Sequence, residues 1–203
     1  MCIRDSAKTG IFEPDEKALE YLEAHGRKPK ALFKSDPDAV YAREYTFDLS
    51  KIRPVVAKPD FVDNLVPAEE VRGVKIDEAF LGSCNNGRIE DLRVGASILK
   101  GRHVAEKVRF LVVPASQTVY LQALKEGLID TFIEGGAIVM NPNCSVCWGS
   151  CQGVIGENEV LISTGTRNFK GRAGHPSSKV YLGSAATVTA SAIAGKIATA
   201  DQI

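Results

Sequence analysis

The chain has 203 residues, of which 44% are hydrophobic and 25% are charged, a composition typical of a globular protein with a sizeable core. Its 25 basic and 25 acidic residues give a formal net charge of zero, so the sequence does not indicate the basic surface that nucleic-acid-binding proteins need. No apolar stretch approaches the roughly 20 residues of a membrane span, and no secretory signal opens the chain. The five unevenly spaced cysteines favour free or metal-binding thiols in a reducing cytoplasm over a disulfide framework.

The first 45 residues are predicted to lie outside the main domain. Residues 1–6, MCIRDS, show no periodicity and are interpreted as a non-native leader, in which Cys2 has no role. Residues 7–45 are interpreted as the remnant of a preceding domain with a linker. They include a helix that starts at Glu13 and stops at Gly26. Residues 46–203 are predicted to form one α/β domain.

Strands and helices alternate along most of that domain. A short strand is predicted at 45–49, and 54–58 is a second short apolar segment before an irregular segment at 59–70. Further strands are predicted at 77–83, 108–113, 137–140, 160–163 and 180–182, and helices at 89–99, 116–126 and 185–197. This rhythm predicts a mostly parallel sheet flanked by helices in three layers.

Three cysteines follow predicted strands. Cys84 lies in a Gly-Ser-Cys-Asn-Asn-Gly loop after strand 77–83, and Cys144 and Cys147 form a Cys-x-x-Cys after strand 137–140. A Cys-x-x-Cys is typical of a redox pair, half of a zinc site or part of an iron–sulfur site. The remaining alternative is three buried, inert cysteines. Cys151, in a glycine-rich run, is predicted to be a bystander.

Two arginines follow the strand at 160–163. Arg167 and Arg172 lie in a loop rich in glycine and threonine, where guanidinium groups can bind carboxylates in a bidentate way. The alternative is a pair of solvated surface arginines. We expect the loop to leave the sheet at the same edge as the cysteine loops, which favours a role in binding.

Three ordered motifs resemble the aconitase superfamily, and within it most of all the large subunits of members built from separate large and small subunits. The family's Gly-Ser-Cys-Thr-Asn stands here with Asn85 in place of Thr, and its Asn-Arg-Asn-Phe-x-Gly-Arg stands with Thr166 in place of the first Asn. The family's Pro-x-Cys-x-x-Cys is present at 142–147. The likeness covers nearly all of the chain after Ala7.

The resemblance implies an iron–sulfur α/β domain in a hydro-lyase that dehydrates and rehydrates a small hydroxy di- or tricarboxylic acid, of the isopropylmalate, homocitrate or citrate type. Its metal ligands would be Cys84, Cys144 and Cys147, which would hold a [4Fe–4S] cluster with one iron open to substrate. Arg167 and Arg172 would bind the substrate carboxylate. Two asparagines, Asn86 and Asn168, would lie next to the cluster ligands.

The resemblance also implies that no catalytic base belongs to this chain. In the family the base lies on a swivelling domain, here expected on a small subunit, and other site residues lie in a long N-terminal region. We therefore expect this chain to be inactive alone. The alternatives from other classes are a zinc or thiol-redox module built on Cys144 and Cys147, and a non-catalytic α/β scaffold.

Overall fold

A mixed seven-stranded sheet organises residues 53–203 of this computed structural model, which describes residues 10–203. The predicted leader at 1–6 and Cys2 lie outside the described residues. The described chain divides after Ile52 into an N-terminal unit, 10–52, and a sheet unit, Arg53–Ile203.

The N-terminal unit contains one α-helix among its described residues, α1 (Glu16–Ala24), which confirms the predicted helix. The Asp15 carboxylate caps it by accepting a hydrogen bond from the Ala18 N–H at 2.8 Å. The strand predicted at 45–49 is wrong. This segment pairs with no strand in the described chain, and a 3₁₀ turn follows at Leu49–Lys51. The alternating apolar residues that suggested a strand are exposed, because alternation creates a strand only where a neighbouring backbone is available.

The sheet is parallel at its centre and antiparallel at one side. In spatial order its strands run β2-β1-β7-β6-β3-β4-β5, where β1 pairs antiparallel with β2 and β7 and the other neighbours are parallel. The strands are β1 (Val55–Ala57), β2 (Leu65–Pro67), β3 (Glu78–Gly82), β4 (Arg109–Val113), β5 (Ile138–Val139), β6 (Val160–Ser163) and β7 (Lys179–Leu182). The prediction of an irregular segment at 59–70 missed β2 and a 3₁₀ turn at Ala68–Val71, because the three-residue β2 gains its order from pairing with β1.

The helices of the sheet unit follow its strands. They are α2 (Ser83–Asn86), α3 (Ile89–Leu99), α4 (Gln117–Lys125), α5 (Leu128–Glu134) and α6 (Ala185–Ala194), with 3₁₀ turns at Ser145–Cys147 and Ala200–Gln202. Helix α5 was not predicted from the sequence, because Gly127 was interpreted only as the end of the preceding helix. In the structure its left-handed φ of 70° lets the chain turn directly into α5. The last helix ends earlier than predicted, at Gly195, which has a φ of 69°.

The two faces of the sheet are buried by different kinds of structure. Along β3, Ala79 and Leu81 point into one apolar core with helices α3 to α6, whereas Phe80 points into the other. That second core is closed by residues of irregular segments, among them Val146 and Ile155. The predicted fold class, a mostly parallel sheet flanked by helices, is confirmed, and the face opposite the helices is covered by the long segments after β5 and β6.

The parallel strands fix where these segments begin. Because β6, β3, β4 and β5 run in the same direction, the loops after β3, β5 and β6 leave the sheet at one edge. This confirms the predicted common edge for the cysteine and arginine loops. Among residues 10–203, no helix combines the length and apolar character that a bilayer span requires.

Candidate functional site

The loop after β3, residues 83–88, carries Cys84 and is called the first cysteine loop here. It leaves the sheet through Gly82, where an added Cβ would lie 2.5 Å from the Val113 carbonyl oxygen, so the close approach to β4 requires glycine. Ser83 follows with a φ of 41°, a left-handed conformation that is unusual outside glycine. This turn places Cys84 in the short helix α2, where the cysteine is exposed.

The loop after β5, residues 141–149, carries Cys144 and Cys147 and is called the second cysteine loop. Its turn is held by Ser145, whose N–H donates to Asn143 Oδ1 at 2.5 Å and whose hydroxyl donates to the Gln152 carbonyl at 2.8 Å. Ser145 is fully buried with a φ of 45°. The strained backbone therefore lies beside the cysteines in both loops, where such strain is typical of functional sites. Cys144 is exposed and Cys147 is half-buried, and both are free thiols.

The loop after β6, residues 164–172, is called the arginine loop. Its buried Asn168 donates from Nδ2 to the carbonyl oxygens of Lys58 at 2.8 Å and Phe61 at 3.2 Å, which ties the loop to the β1–β2 hairpin. The Oδ1 atom of Asn168 is buried without a hydrogen-bond partner among the described residues. Arg167 Nη1 donates to the Thr166 carbonyl at 3.1 Å.

Arg172 lies against the second cysteine loop. Its guanidinium carbon is 5.7 Å from the ring centre of Trp148, which directly follows Cys147, and 5.4 Å from the ring centre of Phe169. Its Nε is buried and has no hydrogen-bond partner in the described chain. A buried guanidinium donor without an acceptor is costly, and an anionic ligand would satisfy it.

The arginine loop contacts both cysteine loops. On one side, the Thr164 hydroxyl accepts from the Gly82 N–H at 3.0 Å and donates to the Gly82 carbonyl, and Asn86 Nδ2 donates to the Thr164 carbonyl. On the other side, a Cβ added to Gly165 would lie 3.8 Å from the Cys147 sulfur.

Gly149 marks a second close approach on that side, because a Cβ there would collide with the Arg172 carbonyl oxygen. The structure therefore brings the loops of Cys84, Cys147 and Arg172 together around one segment.

The four cysteines of the described chain do not share one environment. Cys151 lines a cavity of about 960 Å³ together with Glu78 and Arg109, and the other three cysteines do not line it. Within residues 10–203, no three side chains of His, Cys, Asp or Glu are gathered to hold a single metal ion. A four-iron cluster has a different requirement, because each cysteine binds a different iron. Two exposed thiols and one half-buried thiol, on loops that leave the sheet at one edge and contact one bridging segment, are compatible with that donor set.

The most perturbed carboxyl group lies at the opposite edge of the sheet. Glu78, at the start of β3, is fully buried and accepts a hydrogen bond from Arg109 Nε at 2.9 Å. Arg109 also binds Glu159 through two hydrogen bonds of 2.9 and 2.7 Å. Burial raises the pKa of Glu78 to about 7, although Arg109 opposes the shift. Glu78 and Arg109 do not contact the three candidate cysteine ligands, but they line the same cavity as Cys151 and as Asn143 of the second cysteine loop.

The sequence motifs indicated the candidate cysteines and arginines but not the residues that join their loops. Thr164 bonds to a residue 82 positions away, and nothing in its local sequence indicates that contact. Trp148 directly follows Cys147, and Phe169 precedes Arg172 by three residues. The presence of these two aromatic residues in the candidate loops was the available signal for their stacking on the guanidinium group.

These loops and the sheet beneath them define a class of protein. The sequence model of the aconitase family (aconitate hydratase) matches residues 1–72 and 61–195, and the chain belongs to this family.

Individual members of this family share about half of their aligned residues with the chain. The chain is 49% identical over 203 residues to the 3-isopropylmalate dehydratase large subunit of Hydrogenobaculum sp. (strain Y04AAS1), an alignment covering 100% of the chain and 48% of the relative. It is 51% identical over 197 residues to the probable 3-isopropylmalate dehydratase large subunit of Methanothermobacter thermautotrophicus, covering 97% and 47%. The probable methanogen homoaconitase large subunit of the same organism is 48% identical over 202 residues, covering 100% and 47%. The chain thus spans about half the length of the curated relatives it matches.

Proposed function

We propose that this chain is part of the large subunit of a cytoplasmic 3-isopropylmalate dehydratase, an iron–sulfur hydro-lyase of leucine biosynthesis. The observation that carries the proposal is the arginine loop, which bonds to the first cysteine loop through Thr164 and lies against Cys147 and Trp148 of the second. Relatives named as this large subunit match the chain over its whole length.

Cys84, Cys144 and Cys147 would hold a [4Fe–4S] cluster. Three cysteine ligands leave one iron open, and when bound the cluster would supply a Lewis acid for the departing hydroxyl group. Asn86 and Asn168 would surround these ligands. The buried Oδ1 of Asn168, which has no partner among the described residues, is an acceptor to which a hydroxyl group could donate, whereas cluster sulfurs and carboxylates could not.

Arg167 and Arg172 would bind a carboxylate of the substrate. Dehydration removes a proton from the carbon next to that carboxylate and hydroxide from the neighbouring carbon, and the two leave as water. Negative charge grows on the carboxylate as the proton departs, and a guanidinium group already in place stabilises it. Stacking on Trp148 and Phe169 restricts the Arg172 fork before substrate arrives, which reduces the ordering cost of binding.

The remaining parts of the enzyme would come from other polypeptide segments. A small subunit carrying the swivelling domain would supply the catalytic base, since the proposal assigns none to this chain. The N-terminal unit would be the remnant of a preceding domain. Its exposed apolar side chains support this, because Phe12 is 84% exposed and Val40 is 97% exposed, and burial against further protein would remove them from water.

Homoaconitase is the second candidate. The homoaconitase large subunit of M. thermautotrophicus matches this chain about as well as the dehydratase subunits do. Both reactions require the same handling of the carboxylate, so the arginine loop serves either.

A chimera tests the proposal. The N-terminal half of the Hydrogenobaculum relative would be fused to this chain, combined with the small subunit of that organism and reconstituted anaerobically with iron and sulfide. The ultraviolet absorbance of the unsaturated acid would report dehydration. We expect faster dehydration of 3-isopropylmalate than of homocitrate, and the reverse order would favour the second candidate. No dehydration of either acid by a cluster-containing chimera would overturn both.

Arg172→Lys in the same chimera tests the carboxylate contact. Because lysine cannot form the bidentate fork, we expect kcat/KM to fall about 10- to 100-fold. Arg93→Lys is the matched control, since Arg93 pairs with Glu126 and takes no part in the arginine loop. Equal effects of the two substitutions would contradict the assignment.

A further inference from the structure

A second cavity, of about 490 Å³, lies beside the arginine loop and is not lined by either cysteine loop. Lys58 and Asn64 of the β1–β2 hairpin form one wall, Lys170 of the arginine loop forms another, and Lys179 and Tyr181 of β7 complete it. Its volume falls within the range of small-molecule sites.

The charge of this cavity is strongly one-sided. Three lysines line it, Lys58, Lys170 and Lys179, against one acidic residue, Asp60. None of the three lysines forms an ion pair with another described residue. Three lysines from separate segments around one cavity create a positive potential there, and such a cleft concentrates anions.

Tyr181 adds a neutral donor. The residue is 9% exposed, its hydroxyl makes no hydrogen bond within the described chain, and burial raises its pKa above the ordinary value, so it stays protonated at neutral pH. The serine hydroxyls nearby are already engaged. Ser178 donates to the His175 carbonyl at 2.6 Å, and Ser177 pairs with His175 Nδ1 at 2.8 Å.

We propose that this cavity binds a phosphate group, presented either by free inorganic phosphate or by a small phosphate monoester. The donor set suits such an anion, because lysines act as point charges and can approach the several oxygens of a tetrahedral phosphate from different directions.

The site adjoins the candidate substrate loop through the backbone. Asn168, two residues before Lys170, bonds to the carbonyl of Lys58, so an anion between Lys58 and Lys170 would contact both segments that this hydrogen bond joins. Phosphate binding here depends neither on the cluster nor on the proposed dehydratase activity, and it is measured without either.

Titration of the purified 203-residue chain with inorganic phosphate, followed by ³¹P NMR and calorimetry at constant ionic strength in chloride, tests the proposal. We expect saturable binding to one site. Lys58→Gln, Lys170→Gln and Lys179→Gln should each raise the Kd for phosphate about fivefold or more, because each substitution removes one of three positive charges. Lys107→Gln, an exposed lysine outside the cavity, leaves it within about twofold.

Two competitors separate the possible ligands. If glycerol 3-phosphate displaces inorganic phosphate, the cavity is a site for phosphate monoesters. If glycerol 3-phosphate does not displace it, the cavity is a site for the free ion. Either result supports the proposal. Equal displacement by succinate would show a general dianion site and overturn the assignment to phosphate. The absence of saturable binding, or an equal effect of Lys107→Gln, would overturn the site itself. Lys170 and Lys179 are exposed, so their variants remain informative even if Lys58→Gln unfolds.

Discussion

The buried Glu78 at the amino end of β3 makes the stability of this chain depend on pH, and Glu78→Gln is the perturbation that reveals it. Glutamine keeps the size of the side chain and can accept one hydrogen bond from Arg109, but it carries no ionisable group. The comparison therefore concerns how the difference in stability between variant and wild type changes with pH, and not its absolute value.

The sign follows from proton binding. Burial raises the pKa of Glu78 from 4.5 to about 7, so between these values the folded chain holds a proton that the unfolded chain has lost. This contribution to stability is fully present below pH 4.5 and is lost as the pH rises through 7. One pKa unit corresponds to about 1.4 kcal/mol, so the loss amounts to roughly 3 kcal/mol. The stability of Glu78→Gln relative to wild type should rise by that amount between pH 4.5 and pH 8.

Urea unfolding of both chains at half-unit pH intervals, followed by circular dichroism, measures this difference. Glu126→Gln is the matched control, because Arg93 lowers the pKa of the exposed Glu126, so that its effect on stability changes below pH 4.5 and stays nearly constant between pH 4.5 and pH 8. A difference between Glu78→Gln and wild type that stays constant with pH, or that decreases as the pH rises, would refute the reasoning.

Two further substitutions test the loops. Gly149→Ala places a Cβ against the Arg172 carbonyl, whereas Gly101→Ala has a similar φ, 73° against 77°, and open space around it. We expect both to lower the free energy of unfolding in urea, and Gly149→Ala to cost at least about 1 kcal/mol more; equal costs would contradict the close approach of the loops. Asn168→Ala removes two hydrogen bonds to the β1–β2 hairpin and should lower the free energy of unfolding by roughly 1–3 kcal/mol. We also expect faster amide hydrogen exchange at residues 58–64, and unchanged exchange would contradict the anchoring role of Asn168.

Local patterns predicted the central elements of the fold well. The helix at Ile89–Leu99 and the strand at Val160–Ser163 match their predicted bounds, because continuous apolar runs and helical periodicity are properties of the segment itself. The failures depend on partners. The β2 strand exists through its pairing with β1, and the segment at 45–49 has the alternation of a strand without a neighbour.

The candidate site shows the same division. Its cysteines and arginines were identified from motifs, and the common edge of their loops followed from the predicted parallel sheet. The contacts that join the loops were beyond prediction, because Thr164 bonds to Gly82 between two strands that are neighbours in space but 82 residues apart in sequence. Gly149 meets the Arg172 backbone only once both loops are folded. The cation–π contact between Arg172 and Trp148 likewise depends on how the two loops meet.

The cluster content of the reconstituted chimera tests the central claim most directly. After anaerobic reconstitution, iron, acid-labile sulfide and Mössbauer spectra would be measured for wild type, for Cys84→Ser, Cys144→Ser and Cys147→Ser, and for Cys151→Ser as the matched control. The account predicts about four irons per chain in wild type and in Cys151→Ser, with one iron spectroscopically distinct, and a loss of the cluster in the other three variants. A full cluster in Cys84→Ser, or its loss in Cys151→Ser alone, would contradict the account.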